Sequence, residues 1–338
     1  MSKLSYLDFS ADKIRINNLF KKEDALAEIK GNSRESLSLP KVTDVYYDLF
    51  FPKAPDDRPY VYCSIVLSAD GKMAFTDSSA GPLIAKNNYI DPDGAMADFW
   101  VLNVLRAYAD GVVIGAKTLH HENVTSNVYD KELVEQRKKY HNKSKHPYGI
   151  IVSFDATDIP FDHMIFDVDE GEEYKVVIAT SPEGEKYIKA NSPLKHVFIG
   201  PYGSVDEIDI SGLQSLDRDY DVVPVFVTGK DNMPDASILM YILKNLGLER
   251  LCIESPSYNW HLMRQGILDE FFINYSMIYA GGGITPGCSM PFSHTKHPHA
   301  ELLSVGMHKS SFIFTRQKLN YGVTGDSGSG MRSIFDKY

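Results

Sequence analysis

Short apolar runs rich in β-branched and aromatic residues recur along the chain, and helical patterns separate several of them. The first run covers residues 60–67 and ends at the turn signal Ser68-Ala-Asp-Gly71. Similar runs predict strands at residues 111–114, 149–154, 175–179, 196–199, 222–227, 251–254, 271–279 and 310–315. Strands that alternate with helices indicate an α/β fold whose sheet is at least partly parallel.

Three helices are predicted from apolar residues at helical spacing. The first begins after an N-cap at Asp91 and continues to about residue 108. The second begins at Asp235 and ends at Gly247, and the third covers residues 258–265. These helices lie between predicted strands, as expected of an α/β sheet with crossover connections.

Changes in composition divide the chain into three parts. Residues 1–57 are expected to form an N-terminal extension, because a turn-rich cluster separates them from the alternating pattern. Residues 58–321 form the predicted main domain, in which the acidic and irregular stretch 200–221 is expected to be an insertion. The tail, residues 322–338, is rich in glycine and serine and is expected to be flexible.

The charge balance excludes one class of function. Lys and Arg number 35 against 45 Asp and Glu, a net charge of −10, so we expect no general nucleic-acid binding. The densest basic stretch, residues 137–145, is short and is expected to be solvated surface. No apolar run approaches the roughly 20 residues of a membrane helix, and residues 1–15 lack the apolar core of a secretory signal. The chain therefore reads as a cytoplasmic protein without a membrane partner.

The cysteines and histidines predict no metal site. Cys63, Cys252 and Cys288 are odd in number and far apart, which fits neither a disulfide framework nor a zinc ribbon. Cys63 and Cys252 lie in apolar runs and are expected to be small core residues. The sequence His299-Ala-Glu301 matches the His-x-Glu of zinc deaminases, but no Pro-Cys-x-x-Cys follows it.

Candidate ligand-binding residues lie where predicted strands end, since open α/β sheets bind ligands beyond the carboxyl ends of their strands. Gly115 and Ala116 follow one strand, and small residues there let the backbone approach a flat ring. Ser255 opens a helix whose N–H groups suit a phosphate, although serine is also an ordinary helix cap. Thr180 and Ser181 follow a third strand and offer hydroxyls to a nucleotide phosphate.

Six motifs stand in a characteristic order between residues 58 and 321. They are Arg58-Pro-Tyr-Val61, Ser68-Ala-Asp-Gly71, Leu105-Arg-Ala107, Gly115-Ala-Lys-Thr118, Glu254, and Ile267-Leu-Asp-Glu270 followed by Ala280-Gly-Gly-Gly283. In this order they resemble the C-terminal reductase domain of the bifunctional riboflavin-biosynthesis deaminase–reductase (the RibD type), a relative of dihydrofolate reductase. No single motif is specific, and the resemblance depends on their order.

The resemblance implies a dihydrofolate-reductase-like α/β fold, with a mixed, mostly parallel sheet flanked by helices. It implies an NADPH-dependent reductase, similar to 5-amino-6-(5-phosphoribosylamino)uracil reductase, that converts the ribosyl group of a phosphoribosylamino-pyrimidine into a ribityl chain. Hydride would pass from the nicotinamide to C1 of the sugar in its opened imine form. The family habit also implies a homodimer, for which the aromatic-rich strand at residues 271–279 is the expected interface.

The resemblance also assigns roles to residues by position. Lys72, Glu122 and Glu254 are the expected catalytic residues, with Glu122 handling a proton or gripping sugar hydroxyls. Ser68, Asp70 and Arg106 are expected to bind the substrate. The residues expected to contact NADPH are Gly115, Ala116, Thr118, Thr180, Ser181, Ser255, Ser257 and Tyr258.

The chain departs from the family pattern at three places. The family's Glu-Gly-Gly reads Glu254-Ser255-Pro256, which removes two glycines and one N–H donor. The family's Ser-x-Trp-Ile-Thr stretch reads Gly81-Pro-Leu-Ile-Ala85, and Tyr129 stands where an arginine anchor is expected. Two alternatives therefore stay open: a catalytically lapsed nucleotide-binding relative, and a reductase of a pterin-like heterocycle.

Overall fold

A computed structural model describes residues 4–121, 125–214 and 222–323 of the 338-residue chain. The described strands form one sheet: β1 (Asn17–Lys21), β2 (Tyr60–Ser68), β3 (Gly111–Gly115), β4 (Tyr148–Val152), β5 (Val176–Thr180), β6 (His196–Tyr202), β7 (Val223–Thr228), β8 (Arg250–Ile253), β9 (Glu270–Ser276), β10 (His299–His308) and β11 (Phe312–Asn320). The described helices are α1 (Ala11–Ile14), α2 (Glu23–Gly31), α3 (Pro40–Val45), α4 (Leu83–Lys86), α5 (Gly94–Tyr108), α6 (Ala116–His121), α7 (Lys131–His141), α8 (Pro182–Asn191), α9 (Ile210–Gln214), α10 (Ala236–Asn245) and α11 (Pro256–Arg264).

The sheet has the order β1-β10-β11-β9-β2-β8-β3-β4-β5-β7-β6. From β9 to β6 in this order, each pair of neighbouring strands is parallel. Beyond β9 the sheet continues antiparallel through β11, β10 and β1. The predicted fold class, a mixed and mostly parallel sheet flanked by helices, is therefore confirmed.

Helices bury both faces of the parallel part of the sheet. On β3, Val112 and Ile114 pack into the core beneath α5 and α7, whereas Val113 packs into the core beneath α10 and α11. Strands buried on both faces read as continuous apolar runs, which is why β3, β4 and β5 stand out in the sequence. Cys63 and Cys252 are buried, as predicted.

The described part of the N-terminal region shares this core. β1 pairs with β10, and Phe9, Ile14 and Leu39 are buried in the same cluster as α5. Glu35 forms a buried ion pair with Arg250 at the start of β8, with an Nη2–Oε2 distance of 2.5 Å. Within the described residues, no helix has the length and apolar character needed to cross a bilayer.

The predicted N-cap at Asp91 is wrong. The first predicted helix, α5, begins at Gly94 and has Asp93 at its N-cap. The Asp91 carboxylate is buried and accepts from His308 Nδ1 at 2.6 Å instead. The carboxylate binds a residue far along the chain, and the local sequence does not indicate this contact. By contrast, the second predicted helix begins where expected, and Asp235 caps α10, since its Oδ1 accepts from Ile238 N at 2.9 Å.

The predicted solvated surface at residues 137–145 is also wrong for its first residue. Arg137 is 1% exposed, and its Nη1 donates to the carbonyls of Arg106, Ala107 and Ala109 at 2.8–3.1 Å. These carbonyls lie at the C-terminal end of α5, where the last carbonyls of a helix lack the usual partner four residues further on. Burial lowers the pKa of Arg137 to about 10. The guanidinium is thus a helix cap supplied by a neighbouring helix.

Candidate active site

A notch in the sheet brings several of the predicted site residues together. β8 ends at Ile253, which pairs with Cys63, whereas β2 continues to Ser68 with β9 as its remaining neighbour. On the other side of β8, β3 ends at Gly115. The carboxyl end of β8 is therefore recessed between two longer neighbours, and this recess is the crevice described below.

The chain also leaves β3 and β8 on opposite faces of the sheet. β3 leads into α6 and α7, whose Leu119 and Leu133 pack into the core beneath α5. β8 leads into α11, whose Tyr258 and Leu262 pack into the core on the other face. Such a divergence is the point where open α/β sheets bind ligands, so the crevice at β8 is the candidate active site.

Gly115 and Ser255 meet at this crevice. A Cβ atom added to Gly115 would lie 2.9 Å from Ser255 Oγ, too close for an ordinary contact. The missing side chain therefore lets the end of β3 and the start of α11 approach each other closely. Ala116 is buried at the start of α6, and Thr118 is half-buried along the same helix. The structure thus brings Gly115, Ala116 and Ser255 together.

The start of α11 has unused backbone donors. Ser255 occupies the N-cap position, but its side chain makes no capping hydrogen bond, and Pro256 follows at the first turn. The first N–H groups of a helix have no partner within the helix and carry partial positive charge. Ser257 is exposed and Tyr258 is buried at this turn. The helix start therefore fits a phosphate or pyrophosphate group.

A second helix start, at α8, is capped by a side chain of its own N-terminal residues. Ser181 caps α8, with its Oγ accepting from Gly184 N at 3.3 Å. Thr180 Oγ1 donates to the carbonyl of Phe154 at 3.2 Å. Both Thr180 and Ser181 are fully buried. The structure does not bring them to the crevice, and their predicted contact with the cofactor stays a prediction.

Arg106 and Glu254 form a bidentate ion pair at the base of the crevice. Arg106 Nε and Nη2 donate to the two Glu254 carboxylate oxygens, each at 2.6 Å. Arg106 Nη1 donates to the carbonyls of Thr125 and Asn127. Burial acts to lower the pKa of Arg106, but the Glu254 charge raises it above its ordinary value. The pair fastens α5 to the end of β8, so both residues hold the crevice in place.

The Ser-Ala-Asp-Gly turn is fastened to the loop that follows β9. Ser68 Oγ donates to Asp70 Oδ1 at 2.6 Å and accepts from Lys72 N at 2.8 Å. Asp70 also accepts from the N–H groups of Ala280 and Gly281, at 3.1 and 2.8 Å. The hydrogen bond from Ser68 lowers the pKa of Asp70 to about 2. Asp70 is thus an ionised latch that positions this turn.

Lys72 is half-buried and makes no ion pair with any residue that the structure describes. Glu122, its expected partner, lies outside the described residues, as do residues 215–221 of the expected insertion and residues 324–338 of the tail. The shared role predicted for Lys72 and Glu122 therefore stays a prediction.

Sequence reasoning missed a carboxylate on α5. Asp98 is half-buried, and its Oδ1 accepts from Asn274 Nδ2 on β9 at 2.7 Å. Burial raises the pKa of Asp98 to about 6. The helix pattern alone gave no reason to single it out. No local signal distinguishes it, because its partner Asn274 lies 176 residues away in the sequence.

Comparison with known proteins agrees with this architecture. The model of the RibD C-terminal domain matches residues 59–305. A 2,5-diamino-6-ribosylamino-4(3H)-pyrimidinone 5′-phosphate reductase of Archaeoglobus fulgidus is 25% identical over 230 residues, which are 68% of this chain and 85% of the relative. A protein of the same name from Aquifex aeolicus is 23% identical over 232 residues, covering 68% and 82% of the two chains.

Solved structures share the fold. A pyrimidine reductase-like protein of Corynebacterium diphtheriae superposes with a TM-score of 0.54 at 19% identity, covering 78% of this chain and 93% of that one. RibD of Acinetobacter baumannii gives a TM-score of 0.51 at 15% identity, covering 88% and 64% of the two chains. The family match spans more than half of the sequence and includes both strands that border the crevice. This chain therefore belongs to the RibD C-terminal domain family.

Proposed function

We propose that this chain is a pyridine-nucleotide-dependent reductase of riboflavin biosynthesis, with NADPH as the reductant. Its substrate would be a ribosylamino-pyrimidine 5′-phosphate, either the 2,5-diamino-pyrimidinone or the 5-amino-uracil. The observation that carries the proposal is the Gly115–Ser255 contact at the recessed end of β8, beside an uncapped helix start. The names of the two curated relatives support the same reaction class.

The residues at the crevice fit a dinucleotide. Gly115 and Ala116 would lie against the nicotinamide with Thr118 nearby, and the first-turn N–H groups at Ser257 and Tyr258 would bind the pyrophosphate. The bound dinucleotide supplies hydride for the opened sugar imine. The missing Cβ at Gly115 lets Ser255 and the start of α11 lie against the end of β3, so the proposed nicotinamide and pyrophosphate contacts lie close together.

The substrate would occupy the side of the crevice bordered by the Ser68–Lys72 turn and α5. Lys72 and Glu122 would share proton handling there, since imine reduction needs a proton as well as a hydride. Arg106 and Glu254 would position this end through their ion pair. A catalytically lapsed binder is the second candidate, because Pro256 removes one N–H donor from the turn that would hold the pyrophosphate.

Calorimetric titration with NADPH tests the cofactor site. We expect saturable one-site binding, and we expect NADP⁺ to compete. Absence of heat and of competition at millimolar dinucleotide would remove the cofactor assignment and, with it, the reductase proposal.

A homodimer is the assembly we propose. Ile273 and Tyr275 of β9 and Ile313 of β11 lie on one face of the antiparallel end of the sheet, and all three are half-buried. Tyr275 and Ile313 are direct cross-strand neighbours, which makes a continuous apolar surface. Light scattering should return twice the chain mass, and Tyr275→Asp should return the single-chain mass. A monomeric wild type at all accessible concentrations would contradict the assembly.

A further inference from the structure

The crevice continues as a groove between α5 and the part of β2 that no longer pairs with β8. Tyr62 points toward α5 and is buried, with its hydroxyl donating to the Leu105 carbonyl. Ser64 and Val66 point toward the same face, yet they are only half-buried. Side chains on this face would be buried if α5 packed closely over them. Their partial exposure shows that the helices do not cover this stretch of β2 completely, beyond the level at which β8 ends.

Asp98 lies beside this groove, because its carboxylate contacts Asn274 on the strand next to β2. It precedes Arg106 by two turns of α5, about 12 Å along the helix axis. Its partner Asn274 is paired in register with Val66 of the groove floor. Asn274 is 1% exposed, and its amide N–H fixes one oxygen of the Asp98 carboxylate. A buried amide thus holds a half-buried carboxylate beside the groove.

The electrostatics of Asp98 favour a ligand that donates hydrogen bonds. Asn274 is the polar partner that the described residues provide for this carboxyl group, and it donates, so the carboxyl group is presented as an acceptor. Burial nevertheless disfavours the negative charge, because it raises the pKa of Asp98 to about 6. The ionised form of Asp98 predominates at pH 7, but Asn274 is the one hydrogen-bond donor that the described residues provide for it. A ligand that supplies two N–H groups would relieve that deficit.

The two candidate pyrimidines differ at the edge that a carboxylate reads. A 2-amino-4(3H)-pyrimidinone carries the 2-amino group and N3–H side by side, two donors that match the two oxygens of a carboxylate. In the corresponding uracil, a carbonyl replaces the 2-amino group, and its oxygen would face a carboxylate oxygen. A site built for hydrogen bonding rejects the wrong analogue strongly, because its own polar group is left unpaired.

We propose that Asp98 anchors the 2-amino and N3–H edge of the pyrimidine, so that this chain selects the 2,5-diamino-pyrimidinone over the uracil. The inference rests on the proposed reductase function and adds its substrate class and a specificity residue. Asn274 is the positioning residue of this pair, because it acts through Asp98.

The test compares kcat/KM for the two ribosylamino-pyrimidine 5′-phosphates with NADPH. Wild type should prefer the diamino-pyrimidinone by at least about a hundredfold. An asparagine amide presents one acceptor and one donor, the complement of N3–H and C2=O. Asp98→Asn should therefore lower kcat/KM for the diamino-pyrimidinone at least about tenfold and raise the relative rate on the uracil. The control is Asp93→Asn, which changes the same group at the start of α5 and should leave the preference unaltered.

The outcomes separate the two proposals. If neither pyrimidine is reduced, the proposed function fails. If wild type reduces both equally or prefers the uracil, the function stands and the role of Asp98 is overturned. The wild-type preference needs no variant, so the inference stays testable even if Asp98→Asn does not fold. A preference that survives unchanged in a folded Asp98→Asn protein would also overturn it.

Discussion

Arg106 and Glu254 illustrate how a single buried pair determines the shape of the crevice. Arg106 is 4% exposed, and it donates to both carboxylate oxygens of Glu254 and to the carbonyls of Thr125 and Asn127. Two charges removed from water are tolerable only as a pair with good geometry. Glu254 was predicted to be catalytic, and its position beside Ser255 keeps that prediction open. The contacts assign it at least a structural role.

We expect Glu254→Gln to reduce the free energy of unfolding by about 3 kcal/mol, because it leaves the Arg106 charge buried without its counterion. Urea denaturation measures the change. Glu183→Gln is the matched control, since Glu183 pairs with Lys186 on the surface of α8, where an ion pair contributes about 0–1 kcal/mol. Equal losses in the two variants would show that the Arg106 charge is compensated elsewhere.

The Asp98 carboxyl group predicts a pH-dependent stability. Its folded-state pKa of about 6 lies above the unfolded value of roughly 3.9. Between these values the folded state holds the proton that the unfolded state releases, so stability falls as pH rises through the window. Asp98→Asn removes this fall. The change in the free energy of unfolding caused by Asp98→Asn should therefore be more favourable at pH 7 than at pH 4, by about 1–3 kcal/mol. The same change at both pH values would contradict the raised pKa.

Sequence motifs singled out residues that border the crevice at β8, and they missed Asp98. Gly115 and Ser255 follow apolar strands and are visible as strand ends. Thr180 looks equivalent, yet its hydroxyl is turned to the Phe154 carbonyl. Asp98 sits in an ordinary amphipathic helix, and its significance depends on Asn274, which is 176 residues away. Contacts at such separations leave no local pattern.

The helices α8 and α11 begin with similar sequences, but only α8 is capped by a side chain. Each follows a parallel strand with a serine and then a proline. Ser181 caps its own helix, whereas Ser255 leaves its helix uncapped and contacts the Gly115 position instead. The same sequence signal therefore closes one helix start and leaves the other available to an anion.

Gly115→Ala tests the close approach of β3 and α11. The added Cβ would lie 2.9 Å from Ser255 Oγ, so the serine side chain must rotate or the two elements must move apart, and either change alters the crevice. NADPH affinity should fall at least about tenfold in calorimetry. Adding Ser255→Ala removes the clashing oxygen and should recover part of the loss. Unchanged affinity in a folded Gly115→Ala protein would place the dinucleotide elsewhere.

The elements that the sequence predicted share one property. The pattern of apolar residues within each of them indicates which of its faces is buried. β3, buried on both faces, and α10, capped by its own Asp235, were found at nearly their observed bounds. β10 was missed because it begins with the polar residues His299-Ala-Glu301 and is stabilised by pairing with β1 and β11. The strand predicted at residues 271–279 ends at Ser276, where its pairing with β2 and β11 stops.

On the scale of the whole molecule, the sheet has two parts with different roles. The parallel part, from β9 to β6, is covered by helices on both faces and carries the crevice at the recessed end of β8. The antiparallel part, from β11 to β1, joins the parallel part at β9, and the half-buried Ile273, Tyr275 and Ile313 lie on one face where β9 and β11 meet. Under our proposals, reduction would take place in the first part, and dimer assembly would use the surface where β9 and β11 meet. The order of six short motifs was enough to predict this architecture, because order along the chain reflects topology.

The central claim, that the crevice at β8 performs reduction, is tested most directly by steady-state turnover. NADPH oxidation is followed through nicotinamide absorbance with 2,5-diamino-6-ribosylamino-4(3H)-pyrimidinone 5′-phosphate as substrate, for wild type and Gly115→Ala. We predict one ribityl product per NADPH consumed by wild type and a turnover at least about tenfold lower for the variant at subsaturating NADPH. NADPH binding without turnover of this substrate or of its uracil counterpart would contradict the account and identify a catalytically lapsed nucleotide-binding relative.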